Sequence, residues 1–92
     1  MENIDELRKM IDAIDREMAL LFEKRMLAAS GIARYKAENG IPVYDAEREA
    51  AIIEKNAAFI PEDALRPYYC RFIKSVMDIS KDYQNELMQN LT

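Results

Sequence analysis

From Ile4 the apolar positions run Ile4, Leu7, Ile11, Ile14, Met18 and Leu21 in alternating steps of three and four, then, one heptad on, Ala28 and Ile32. That spacing predicts one face of a helix. No proline interrupts the pattern before about Glu38, so the helix spans roughly 35 residues and about 50 Å at the usual rise per residue. Asn39-Gly40-Ile41-Pro42 is a stop-and-turn sequence. Asp45 then offers an N-cap, Glu47 and Glu49 suit the positive helix start, and Ile52 and Ile53 supply an apolar side. This second helix is about three turns long, weakening over Asn56 to Ile60. Pro61-Glu62-Asp63 opens a third helix, with Glu62 or Asp63 as its cap and Pro67 close enough to the start to be tolerated. Its stripe is Tyr69, Phe72, Val76, Ile79, Tyr83 and Leu87, and it runs nearly to the C-terminus.

The expected architecture is all-α, with a long, a short and a long helix per protomer in a single domain, 1–92. There is no repeat, low-complexity tract or strand-like alternation. A chain of 92 residues has a compact radius of gyration of roughly 12 Å, so the first helix is longer than the globule that would hold it. Its far end needs another packing partner. A second copy of the same helix is the simplest supplier, which predicts an intertwined homodimer.

Charge narrows the chemistry. Seventeen acidic against thirteen basic residues give a net charge of −4, which argues against a broad nucleic-acid surface. Any anion site must be local. No histidine is present and Cys70 is the single cysteine, so the usual zinc-ligand sets, an intrachain disulfide and His-dependent nucleophilic catalysis are all missing. No metal or cofactor is expected. The start, MENIDELRKMID, is charged from its second residue and resembles neither a signal peptide nor a membrane span. A cytoplasmic protein without membrane association is expected.

Polar residues break the core stripe at informative places. Continuing the first stripe reaches Arg25 and Lys36, which differ by only about 20° around the helix and share a face. A buried cation is costly without an anion. Pairing with Asp or Glu of another helix is one answer. Two cations on one apolar face of an acidic protein point instead to an anionic ligand. Arg8 lies about 25 Å from Arg25 along the same axis, so a small ligand meets both only if Arg8 comes from a second copy. By itself Arg8 reads as a solvated surface residue. Asp45, Arg48 and Glu49 share one side of the second helix's first turn, where a cap and a local ion pair would be the ordinary explanation. Ser80 and Gln84, four apart, sit at the edge of the third stripe, where neighbouring backbone commonly satisfies such groups.

In their order and spacing, Leu7-Arg8-Lys9-Met10-Ile11-Asp12-Ala13-Ile14-Asp15, Glu23-Lys24-Arg25, Ile32-Ala33-Arg34-Tyr35-Lys36, Pro42-Val43-Tyr44-Asp45-Ala46-Glu47-Arg48-Glu49 and the pair Ser80 and Gln84 resemble the all-helical chorismate mutases over nearly the whole chain. The resemblance implies a three-helix protomer whose first helix crosses to its partner, and conversion of chorismate to prephenate in aromatic amino-acid biosynthesis. It further implies roles. Arg25 and Arg8 of the second copy would hold the two substrate carboxylates; Lys36 and Gln84 would approach the ether oxygen; Arg48 and Ser80 would support the carboxylate end. Glu49 and the neighbourhood of Asp45 would receive the ring hydroxyl. Two rival readings exist. Pyruvate elimination from isochorismate occurs on the same scaffold, in members that lack the acids represented by Asp45 and Glu49. A non-enzymatic helical dimer, with polar residues setting register, is the other.

Overall fold

The computed structural model describes residues 3–91. Three α-helices follow in order, α1 (Ile4–Glu38), α2 (Ala46–Ala57) and α3 (Arg66–Leu91), with a 3-10 turn at Asp63–Leu65 before the last. No strand occurs among the described residues. The all-α, long-short-long expectation holds, as do the helix limits read from the stop signals.

Each boundary has a local cause. Asn3 caps α1 by accepting the Glu6 N–H at 2.9 Å, and Asp45 caps α2 by accepting the Arg48 N–H at 3.0 Å, each satisfying a donor that the first helical turn leaves free. At its other end α1 closes in a Schellman turn: Gly40 adopts φ 65°, and the Ile41 N–H donates to the Lys36 carbonyl at 2.9 Å. Glycine takes this left-handed conformation without the Cβ penalty. Glu62 caps the 3-10 turn at Asp63–Leu65. Arg66 fastens the junction, donating from Nε to the Ile60 carbonyl at 2.8 Å and pairing with Asp63 at 2.8 Å.

The packing differs from the sequence reading on both long helices: in α1 the expected Ala28 and Ile32 are exposed, and the residues that follow each of them are the buried ones. In α3 the buried residues are Ile73, Met77, Ser80 and Gln84, whereas Phe72 and Ile79 of the expected stripe are exposed. The inward face is turned by roughly one residue, about 100°, so Ser80 and Gln84 lie in the centre of it and not at its edge. Ala29 and Ala33 are the buried residues of α1. Both α1 and α2 pack on α3, and the small alanine side chains leave room for close approach.

Every described residue of α1 up to Lys24 is exposed. Among them are Ile4, Leu7, Met10, Ile11, Ile14, Met18, Leu20, Leu21 and Phe22. About 30 Å of helix therefore extends beyond the packed part, and the molecule measures 57 × 25 × 14 Å with a radius of gyration of 16.5 Å. Its 7535 Å² of accessible surface exceeds by about 2000 Å² what a compact monomer of this mass exposes.

Candidate active site

The packed half of α1, the start of α2 and the middle of α3 enclose a cleft of about 460 Å³, within the usual range for small-molecule sites. Arg25 and Lys36 line it from α1, Asp45, Arg48 and Glu49 from the start of α2, and Ser80 and Gln84 from α3. Seven of the eight residues singled out in the sequence thus share one cavity. Apolar walls are supplied by Ile32, Val43, Ile52 and Met77. Arg8 lies outside it, on the exposed part of α1.

The ion pairs of the structure bear on the first explanation offered for Arg25 and Lys36, pairing with an acid of another helix. Neither has an acidic partner within ion-pair distance among the described residues, and neither does Arg48. Lys36 is instead held through its Nζ, which donates to the Val43 carbonyl at 3.0 Å across the Gly40 turn. That bond fixes the ammonium without neutralising it. The local ion pair expected between Arg48 and its neighbouring acids does not form: Asp45 serves as the cap, and Glu49 turns to Lys81 at 3.0 Å. Three uncompensated cations face one cleft of an acidic chain.

On α3 the Gln84 amide Nε2 donates to Ser80 Oγ at 3.0 Å, while Gln84 Oε1 is buried without a hydrogen-bond partner. A buried orphan acceptor is costly, and native structures keep few of them. Exchange of the amide N and O preserves a bond to Ser80, since a hydroxyl either donates or accepts, and turns the unpaired group into a donor. The pair is suited to offer a polar hydrogen-bonding group to a ligand.

Lys81 is the cleft residue that the sequence reading missed. It pairs with Glu49 at 3.0 Å and Asp78 at 3.2 Å, and its Nζ lies 4.6 Å from the centroid of the Tyr44 ring. The Glu49 carboxylate above all, and Asp78 after it, hold the ammonium above its ordinary pKa against the desolvation that opposes them. A signal was present, since Lys81 sits between Ser80 and Gln84, but only the correct phase of α3 turns it toward α2. Among the described residues no group of His, Cys, Asp and Glu could hold a metal ion, and no helix is long and apolar enough to cross a membrane.

Comparison with known proteins gives consistent matches. Residues 7–85 match the family model for chorismate mutase type II. The chain is 34% identical over 91 residues to the T-protein of Haemophilus influenzae, covering 94% of this chain and 22% of that protein. It is 33% identical over 89 residues to a bifunctional chorismate mutase/prephenate dehydratase of Aquifex aeolicus, covering 88% of this chain and 25% of the relative. A chorismate mutase of Methanocaldococcus jannaschii is 38% identical over 55 residues, covering 60% of this chain and 56% of that one. The chain thus spans about a quarter or less of the first two relatives' length. No solved structure gives a significant match. A family model covering most of the chain, on a helical scaffold that gathers seven of the eight candidate residues, places this protein in the chorismate mutase type II family.

Proposed function

We propose that this chain rearranges chorismate to prephenate, as a homodimer with two equivalent clefts. The observation that carries this reading is the set of unpaired cations, Arg25, Lys36 and Arg48, lining one cleft of a protein with net charge −4. Cations gathered without counter-ions repel one another and favour an anion among them, and a dianion supplies two such charges. Chorismate carries two carboxylates, an ether oxygen and a ring hydroxyl, which correspond to the cationic, donor and acid portions of the cleft.

The reaction asks little of a protein in covalent terms. One C–O bond breaks and one C–C bond forms within the substrate, and no proton is transferred. A site without histidine therefore lacks nothing required. Arginine's planar fork holds a carboxylate in a fixed orientation, and two such clamps select the compact conformer in which the reacting carbons approach. Negative charge grows on the ether oxygen as its bond lengthens. Lys36, tethered at 3.0 Å to Val43, and Gln84, anchored on Ser80 with its amide N and O exchanged so that the free group is the donor, stabilise that charge with little reorganisation, so they act more on the transition state than on bound substrate.

The dimer completes the site. Arg8 lies too far along α1 to reach its own cleft, and α1 presents an exposed apolar face between them. The excess surface of about 2000 Å² is of the size an obligate interface buries. Packing α1 against a second copy covers that face and brings in the partner's Arg8 as the second carboxylate clamp. Presence of Asp45 and Glu49 in the cleft favours the mutase over pyruvate elimination from isochorismate, and a built polar cleft goes beyond what register setting in a helical dimer needs. Incubation of purified protein with chorismate should yield prephenate. Release of pyruvate from isochorismate as the main activity, or no turnover of either compound by a folded dimer, would overturn the proposal.

A further inference from the structure

A network of alternating charge crosses from α3 to α2 and reaches the cleft at Lys81 and Glu49. Lys74 meets Asp78 at 2.6 Å, Asp78 meets Lys81 at 3.2 Å, and Lys81 meets Glu49 Oε2 at 3.0 Å. The first two links lie within one helix, at the i,i+4 and i,i+3 spacings that such pairs favour. The last link joins two helices and is the most sheltered, with the Lys81 and Glu49 side chains 23% and 15% exposed. Above Lys81 lies the ring of Tyr44 at 4.6 Å, an arrangement that favours a cation over a neutral group.

We infer that Lys81 is a positioning residue for Glu49, setting how this site holds the hydroxyl-bearing end of its substrate. The inference rests on the proposed function and adds a residue to it. Glu49 has no other cation within ion-pair distance among the described residues. With Oε2 taken by Lys81, Oε1 is left to accept from the substrate hydroxyl. By holding Oε2 at 3.0 Å, Lys81 limits the rotation of the carboxylate at the base of α2. It is itself held in place by Asp78 and Tyr44, so its charge is spent on the carboxylate and not on the substrate's anionic groups. The Arg25, Lys36 and Arg48 charges, lacking such partners, remain for those.

The discriminating measurement is calorimetric titration of the dimer with two bicyclic dicarboxylate mimics of the transition state, one bearing the ring hydroxyl and one lacking it. Lys81→Met should weaken the hydroxylated mimic by about tenfold, in the range of coupling between contacting charged residues, and leave the deoxy mimic within about twofold. Lys81→Arg should restore most of the preference. In a Glu49→Gln background, Lys81→Met should no longer change it. Lys81→Gln, which keeps more of the polar surface, gives the same reading if the methionine variant does not fold. Equal loss of both mimics in folded variants, or no loss of either, would overturn the role of Lys81. Failure of the unsubstituted protein to bind either mimic would overturn the proposed function, and this inference with it.

Discussion

Lys36 and Val43 lie seven residues apart, on opposite sides of the Gly40 turn, and a hydrogen bond of 3.0 Å from Lys36 Nζ to the Val43 carbonyl joins them. The turn that ends α1 thereby also aims a cation into the cleft. A lysine ammonium has three donors, so this bond leaves two for a ligand. Because a backbone carbonyl holds the charge without cancelling it, Lys36→Ala should reduce kcat by about a hundredfold or more with KM changed far less and the helical circular dichroism spectrum unaltered. Near-normal turnover by the folded variant would remove Lys36 from the chemistry.

Gln84 separates stability from activity. Its Oε1 is a buried acceptor without a partner, so Gln84→Leu removes a desolvation cost as well as a bond to Ser80, whose hydroxyl can turn to a carbonyl of the preceding helical turn. Stability to urea should change by no more than about 1 kcal/mol, in either direction, while kcat falls steeply. A strongly destabilised variant would mean that the residue serves packing first.

Shared sites have a signature in mixing. Arg8→Ala and Arg25→Ala should each be nearly inactive alone. Unfolded together and refolded, half of the dimers are mixed, and one cleft in each carries both arginines, so about a quarter of the wild-type rate should return. No recovery in a mixture shown to contain heterodimers would place Arg8 outside the site.

The exposed face of α1 predicts that folding and association are coupled. The Tm should rise with protein concentration, as it does when the folded state is an assembly. Ile14→Glu, a charge in the middle of that face, should give separate protomers or unfolded chain in sedimentation. Concentration-independent melting together with an unaffected Ile14→Glu variant would exclude α1 as the interface.

The charge network predicts a pH window. Hydrogen bonds from Lys74 and then Lys81 hold the Asp78 carboxyl below its ordinary pKa, so its contribution to stability is present above the unfolded value, about 3.9, and is lost as pH falls through the folded one. Lys81, raised chiefly by Glu49, contributes below its unfolded value of about 10.4 and loses that contribution as pH rises through the folded one. The difference in urea midpoint between wild type and Asp78→Asn should therefore be flat from about pH 5 to pH 9 and shrink under strongly acidic conditions. A difference that disappears near neutrality would mean that other groups control it.

Much of this protein is written in local order. The caps Asn3 and Asp45, the Gly40 turn and the three-four spacing act within a few residues, so the helices and their limits are legible without any tertiary contact. Arg25 and Lys36 stand out for the same reason, because eleven residues on one helix return nearly to the same face. The length of α1 is likewise legible, and the expectation of a partner copy follows from it.

Periodicity, however, gives the spacing of a stripe and not which of two stripes turns inward. On α3 both Phe72 with Ile79 and Ile73 with Met77 fit a helical repeat, and a chain that leaves so much apolar surface exposed has reason to carry more than one. Only packing against α1 and α2 decides that Ile73, Met77, Ser80 and Gln84 are buried together. The same choice of phase brings Lys81 to Glu49 and leaves Arg48 unpaired, although Arg48 is the nearer in sequence. Ion pairs between helices depend on rotation and distance across an interface, which no spacing within one helix encodes.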